Sequence, residues 1–419
     1  MRPMISAAAF AVLFASFAHA VNMDWLTQYK QPNIHYGQLA LHPYYQFTEL
    51  YDSNIYLAPR QQPNGAIVGG GVKSSWITKN ELALEAVLPW RQLHNFAAGY
   101  GAEFQNYTTD ARANDTINQR AHLDYVYTGA YGLTFSAGDR YLNTTDQASS
   151  QLVDRNRRWS NEVYTALDYN PQNGYLAGGV DASHTVTKYL GPAIGRLLNR
   201  YSQRVGFNAG YKIQPQTKLY ASYHRAIKHY TVHRELPDQD KNSKSHDVGL
   251  GVSGVLAPKI TGQVEGGMTY REYDEAPIGG VTRVTRNFTV ATNVVYKPTE
   301  RTDVILGLSR NLQESISDSN RFYISNSATL DVKHKFPRKF SAGINLAFGL
   351  DKYPDTQAIG ATRGDRRDDI YQGGIWATYD IQAWLSTGLS YVYRERNSTF
   401  TGQFNYQDHQ TAWYLALKF

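Results

Sequence analysis

Apolar side chains occupy every second position over most of this chain. Phe96, Ala98, Tyr100, Ala102 and Phe104 share one face, with Glu103 and Gln105 on the other. Val205, Phe207, Ala209, Tyr211 and Ile213 alternate with Gly206, Asn208, Gly210 and Lys212. The segments 260–270 and 340–350 repeat the pattern, and helical periodicity is nearly absent. Successive side chains of a strand point to opposite faces, so a period of two predicts strands with one apolar and one polar face. The alternations run for about 10 to 13 residues. Strands of soluble proteins average roughly 5 to 6 residues, whereas a tilted strand needs roughly 9 to 11 to cross a bilayer.

Tight-turn signals separate the alternating runs at 89–92, 130–132, 171–174, 214–216, 257–259, 297–299, 337–339 and 380–383. Their centres lie 39 to 45 residues apart, enough for one strand up, a loop and one strand down. The segments between them, such as 52–75, 141–158, 231–245 and 352–367, are longer and polar. Short turns on one side and long loops on the other match outer-membrane barrels. The predicted fold is all-β: a transmembrane antiparallel β-barrel of about 18 strands, with short periplasmic turns and long extracellular loops. The first strand is expected at 39–51 and the last at 406–419.

The two ends of the chain carry their own signals. Arg2 is followed by an apolar stretch over 5–17 and then Ala18-His19-Ala20, an A-x-A cleavage pattern. The expectation is a signal peptide at 1–20, a periplasmic leader at 21–38 and an outer-membrane β-barrel at 39–419. Trp413, Leu415, Leu417 and Phe419 alternate up to a C-terminal aromatic. That ending resembles the assembly signal read by the barrel assembly machinery.

Composition sharpens this picture. Mean hydropathy is −0.49, and beyond the first twenty residues no apolar run of about 18 exists, which excludes a helical membrane protein. The chain has no cysteine, so disulfides, thiolate metal sites and thiol nucleophiles are excluded. Its 32 tyrosines suit a barrel, because amphipathic rings prefer the headgroup level. Tyr44, Tyr56, Trp76, Trp90, Tyr125 and Trp413 are among the rings expected in the two outer girdles.

Strand parity assigns the lumen. The pore-lining candidates are Glu85, Glu103, His122, Asp124, Arg140, Asp181, Arg204, Lys212, His224, Glu265, Arg271, Asp331, Lys333, Asp351 and Arg394. Both signs occur. They read either as a polar conduit with local charge selectivity or as ion pairs that brace the wall. Glycines such as Gly178, Gly179, Gly206, Gly249 and Gly343 leave space on the wall, either for a passing polymer or for a neighbouring large side chain. The predicted loops are basic: Arg155, Arg157 and Arg158; Lys188, Arg196 and Arg200; Arg225, Lys228, His233, Arg234, Lys241 and Lys244; Arg363, Arg366 and Arg367. These suit lipopolysaccharide phosphates or an acidic polymer. Interleaved acids and export from the cell exclude nucleic acid as a partner.

His122 and Asp124 lie two apart on one face, a pairing that general-base catalysis can use. No serine elbow, paired-histidine metal spacing or Gly-rich phosphate loop accompanies them. A structural hydrogen bond is the default, and no enzyme activity, metal or cofactor is expected.

The opening strand reads His42-Pro43-Tyr44-Tyr45 and then Glu49-Leu50-Tyr51-Asp52-Ser53-Asn54-Ile55-Tyr56. This run resembles the putative β-barrel porin 2 family of outer-membrane proteins. The resemblance implies a Gram-negative outer-membrane port for an exopolysaccharide, such as a capsule or biofilm polymer. It also implies periplasmic polysaccharide-export proteins and an inner-membrane copolymerase as partners, besides outer-membrane lipid. The alternative is a general or substrate-specific uptake porin for small solutes.

Overall fold

Each two-residue period becomes a strand in the computed structural model. The structure describes residues 34–59, 71–145, 155–191, 195, 198–231, 241–274, 283–315, 320–354, 356–359 and 362–419. The long strands are β1 (Leu39–Asp52), β2 (Ser75–Trp90), β3 (His94–Tyr107), β4 (Thr116–Thr128), β5 (Leu133–Thr144) and β6 (Arg158–Tyr169). Next come β7 (Leu176–Tyr189), β8 (Arg200–Gln214), β9 (Thr217–Tyr230), β10 (Ser243–Ala257), β11 (Ile260–Tyr273) and β12 (Val284–Thr299). The last six are β13 (Thr302–Glu314), β14 (Phe322–Lys335), β15 (Phe340–Lys352), β16 (Arg367–Gln382), β17 (Leu385–Ser398) and β18 (Tyr406–Lys418). Every strand is antiparallel to its neighbours, and β18 pairs back onto β1 from Tyr44↔Lys418 to Asp52↔Gln410. The sheet is therefore a closed eighteen-stranded barrel.

Within the expected leader 21–38, Ile34–Tyr36 forms a short strand that folds back on β1. The expected signal peptide and residues 21–33 lie outside the described residues. Strands of 12 to 16 residues exceed the apolar alternation, because pairing continues past the bilayer into the polar extracellular ends.

Register keeps like faces together. Glu85 pairs with Gly99 and Gly99 with His122, all on the inner face. Leu84, Tyr100 and Ala121 share the outer face one step along the same strands. Leu84 is 48% exposed and Glu85 is 6% exposed, so the alternation separates a lipid-facing surface from a packed inner wall. Among the short turns, residues 91–92 and 338–339 adopt left-handed geometry, with φ of 52°, 59°, 64° and 64°. The turns span residues 91–93 and 336–339, and here basic and amide side chains take the positive φ usually given to glycine. Pro43 is tolerated in β1 because its missing N–H faces β18 where the chain ends, while its carbonyl accepts from Phe419 N at 3.1 Å.

Barrel closure is locked at its extracellular end by residues 52–58. Asp52 accepts from Gln410 Nε2 at 2.6 Å, and His409 N donates to Ser53 Oγ at 2.7 Å. Asn54 is fully buried: its amide donates to the Ala58 and Gln407 carbonyls at 2.9 and 3.1 Å, and its oxygen accepts from Ala58 N at 3.0 Å. The segment then turns into the barrel, where Ile55 packs with Leu50, Ile77 and Tyr107. Above it, Tyr56 and Lys73 both bond Asp110, whose carboxyl is held below its ordinary range chiefly by the Lys73 hydrogen bond.

Replacing Asn54 with Ala leaves two carbonyls and one N–H buried without partners at this seam. A loss of about 2–4 kcal/mol is expected, at roughly 1–3 kcal/mol per unsatisfied group with partial relaxation. The readout is a lower temperature for losing heat-modifiable mobility on a denaturing gel; an unchanged midpoint shows that the seam does not limit stability.

Candidate functional site

The inner wall carries its charges in pairs that reach across a glycine. Asp181 on β7 and His224 on β9 meet at 3.5 Å over Gly206 of β8. A Cβ at Gly206 would stand 2.1 Å from the His224 ring. On β4, His122 Nδ1 lies 2.7 Å from Asp124 Oδ2, and its ring rests in the space left by Gly99 of β3. Tyr164 donates to the other oxygen of Asp124 across Gly138, and Arg140 adds a 3.6 Å contact and lies 4.6 Å over the Tyr164 ring. Gly249 and Gly251 make room for Ser222 and Tyr220 to donate to Glu265 at 3.0 and 2.7 Å. In these places the space goes to flat-lying polar side chains, and the Asp181–His224, Tyr164–Asp124 and Glu265 bridges tie strands that are not adjacent. Gly178 differs from its expected position: its register with Tyr169 and Ala209 puts it on the outer face.

Register places all fifteen lumenal candidates on the inner face, but in different company. His122, Asp124 and Arg140 form one network with Tyr164, and Glu85 shares the row Glu85–Gly99–His122–Arg140. Glu103 accepts from Gln105 and from Asn118 at 2.5 and 3.1 Å. Asp331 accepts from Asn345, and Lys333 lies 5.8 Å over Trp376. Arg204 sits beside Ser183 and Ala226. Lys212 bonds the Pro171 carbonyl at a periplasmic turn. Arg394 grips Asp408 through Nε and NH2 at 3.1 and 2.5 Å. Asp351 lies opposite Asp368, which Arg366 holds in a fork at 2.5 to 3.1 Å. The His122–Asp124 pair, shared with Tyr164 and Arg140, has the form of a wall brace.

Sequence reading misses a collar at the extracellular mouth. Tyr107, Tyr230, Tyr273 and Tyr353 are buried at or just beyond strand ends and take the inner parity. Each is covered by an arginine: Arg155 at 4.4 Å, Arg200 at 6.0 Å, Arg321 at 5.1 Å and Arg366 at 4.5 Å. Stacking of guanidinium on a ring hides both from water and adds roughly 0.5–2 kcal/mol. Two expectations change. Tyr44 lies on the inner face and not in a girdle, bonding Gln46 Oε1 at 2.5 Å. Arg155, Arg200, Lys228 and Arg366 turn inward and are not available to lipid phosphates. Lys188, 5.5 Å from Trp159, and Arg225 do keep the outer face. Arg196, His233 and Arg234 lie outside the described residues.

One hairpin tip enters the mouth. The β12–β13 ladder stops at Val290↔Arg310, although β12 stays paired with β11 to Val284 and β13 with β14 to Glu314. Arg310 spans the gap, donating to the Phe288 carbonyl at 3.2 Å and to Asn326 Oδ1 at 2.6 Å. Beyond it, Glu314 meets Arg271 of β11 at 2.7 Å and Lys228 of β9 at 2.9 Å. Phe322 stacks on Tyr273 with centroids 6.4 Å apart. The tip of β13–β14 therefore lies against the inner wall, latched by one carboxylate to two cations.

The family model described as putative beta-barrel porin 2 matches residues 29–419. No curated protein matches the chain. Among solved structures, the chain is similar to OccAB4 of Acinetobacter baumannii at 12% identity, covering 90% of this chain and 98% of that one with a TM-score of 0.45. It is similar to the siderophore receptor PirA of Acinetobacter baumannii at 8% identity, over 90% and 80% of the two chains, with a TM-score of 0.43. It is also similar to a bacterial polysaccharide outer membrane secretin at 9% identity, over 90% and 98%, with a TM-score of 0.37.

Two outcomes are expected from this wall. Gly206→Val overpacks the seat of His224 and should cost about 1–3 kcal/mol, most of it recovered in the Gly206→Val/His224→Ala double variant. Thermal unfolding of the four proteins reads the cycle, and additive losses would refute the seat. Glu314→Ala leaves Arg271 and Lys228 near each other without their anion, a loss of about 3–5 kcal/mol for a buried pair. The tip is then released, and single-channel conductance in a planar bilayer rises above wild type; an unchanged conductance shows that this latch does not hold the mouth.

Proposed function

The chain belongs to the putative beta-barrel porin 2 family, and from that membership we propose that it is the outer-membrane port through which an exopolysaccharide leaves the cell. The observation that carries the reading is the pairing of lumenal charges within the wall. Glu81 with Arg120 and Arg394 with Asp408 turn their charge toward each other, and the Asp181 carboxylate is met by the His224 ring. What remains is a lining of hydroxyls, amides and braced rings, with carboxylates such as Glu103, Glu265 and Asp331 held by neutral donors. Conduction needs contacts weak and numerous enough for release, and such a lining suits a hydrated, hydroxyl-rich chain. Passage through it is passive, so the driving energy comes from inside the cell. Periplasmic export proteins and an inner-membrane copolymerase are the expected partners. The turns facing them carry exposed Arg91, Lys259, Arg338 and Lys339, a basic rim suited to an acidic docking face.

A second reading, an uptake porin for small solutes, has its own support. The inward segment 52–58 and the latched β13–β14 tip narrow the extracellular mouth, as a solute filter would. Both readings keep the outer-membrane channel and differ in cargo and direction.

Deleting the gene tests the first reading. Secreted polymer is expected to fall by at least tenfold and to return on complementation, with unchanged growth on small solutes. Unchanged secretion overturns export. Loss of growth on one solute class, with secretion intact, favours uptake.

A further inference from the structure

The lipid face of β13 turns over at its extracellular end. Leu306 and Leu308 stand on the outer face, 40% and 41% exposed. Arg310, Leu312 and Glu314 share their parity, and the β13–β14 ladder runs without a shift as far as Glu314↔Phe322. Yet Leu312 is buried, and Glu314 and Phe322 meet Arg271 and Tyr273 of the inner wall. The tip has therefore folded into the mouth, with its outer face against the inside of the barrel. The β12–β13 ladder goes unmade above Val290↔Arg310 as a result.

The unmade pairs are chemically matched. Continuing the same register sets Asn311 opposite Thr289, Leu312 opposite Phe288, Gln313 opposite Asn287 and Glu314 opposite Arg286. Phe288 is exposed and apolar, as Leu312 is apolar. Asn287 Nδ2 is buried without a hydrogen-bond partner while the tip is folded in, and Gln313 brings it an amide oxygen. Arg286 is an exposed cation 5.8 Å from the Tyr270 ring. Opposite charges directly across an antiparallel pair stabilise it. The sequence thus fits two positions of one hairpin tip.

The folded-in position is incompletely satisfied. Arg271 NH1 and Lys228 Nζ both converge on Glu314 Oε1, at 2.7 and 2.9 Å. Glu314 Oε2, Arg271 Nε and the Tyr230 hydroxyl are buried without a hydrogen-bond partner, and the Arg271 side chain is 7% exposed. Arg200 acts electrostatically on both Glu314 and Lys228. Asp247, the other inward carboxylate acting on Arg271, accepts from Thr269. Three cations thus share a carboxylate held by one oxygen, where an arginine fork grips two.

We propose that Glu314 occupies a binding site for the carboxylate of an acidic sugar unit in the cargo. The arriving carboxylate takes Arg271, Lys228 and Arg200, using Arg271 Nε as well as NH1. Glu314 passes to Arg286, and the tip zips onto β12. The bond of Lys241 to the Ser315 carbonyl and the stack of Phe322 on Tyr273 are exchanged for four ladder pairs. A ligand shifts a two-state element only through its differential affinity, and this one binds only the vacated state. The site rests on the export reading and narrows the cargo to a carboxylate-bearing polymer.

Because the chain has no cysteine, Phe288→Cys/Leu312→Cys reports the exchange. The two positions face each other only with the tip on β12. The full-length double variant is purified and treated with a thiol cross-linker matched to the roughly 5 Å between facing Cβ atoms. Linked peptides are counted by mass spectrometry. The probes are hexagalacturonate, galacturonate at the same carboxylate concentration, and maltohexaose. Hexagalacturonate is expected to raise the linked fraction at least tenfold over buffer, with the other two near the buffer value. Adding Arg286→Gln removes the receiving cation and is expected to abolish the rise. Adding Arg200→Gln is expected to demand at least tenfold more hexagalacturonate. Heat-modifiable mobility checks that each barrel is folded. No rise with hexagalacturonate, an equal rise with maltohexaose or galacturonate, or a rise that Arg286→Gln leaves unchanged overturns the proposal. The readout needs no secretion, so its failure leaves the deletion phenotype, and the export reading with it, standing.

Discussion

Hydrocarbon offers no partner to a backbone N–H or C=O, and the rest of this structure depends on that. A sheet in such a solvent has to close, because each open edge would leave a row of unpaired groups costing several kcal/mol apiece. Closure here is the pairing of β1 with β18, and the residues that finish it are Asp52, Ser53 and Asn54. The stretch of sequence that carries the family resemblance is thus the stretch that completes the ladder and then turns into the lumen. The hydrogen bonds of the seam account for its polarity.

Closure also creates the second problem, an interior too wide to fill with apolar side chains. The wall handles this by laying large polar groups flat. A glycine on the intervening strand lowers the surface locally, and the side chain on the next strand reaches over it. Asp181 and His224 over Gly206, and Tyr164 and Asp124 over Gly138, follow one geometric rule. The bridges are short-range in space but skip a strand, so they resist shear between strands as well as giving each carboxylate a donor. At the strand ends, where the wall meets loops, stacked arginine and tyrosine take over the same task.

Much of this was legible in the sequence, for a definite reason. A period of two is a property of the strand itself, so faces, strand number and turn positions follow from Phe96 to Phe104 and its counterparts. The lumenal parity of His122, Glu265 or Arg394 follows in the same way. What parity cannot carry is partnership, because the partner is set by register and by the strand beyond. Nothing in the local pattern pairs Glu314 with Arg271. Tyr44 reads as a girdle ring because it stands near a strand end; its register with Ala83 turns it inward. Glycine had the same ambiguity. Gly206 and Gly178 read alike in sequence, and pairing places them on opposite faces.

The distribution of charge locates selectivity along the channel. Midway, wall donors meet the carboxylates, as His122, Tyr164 and Arg140 meet Asp124 and His224 meets Asp181. At the mouth the cancellation is incomplete: Arg200, Lys228 and Arg271 gather around the one carboxylate of Glu314. Salt in the aqueous lumen screens exposed charges beyond about 8–10 Å, and charges buried in the wall much less. This cluster stands at the extracellular mouth, where the tip of β13–β14 and the turn after β1 have left the wall.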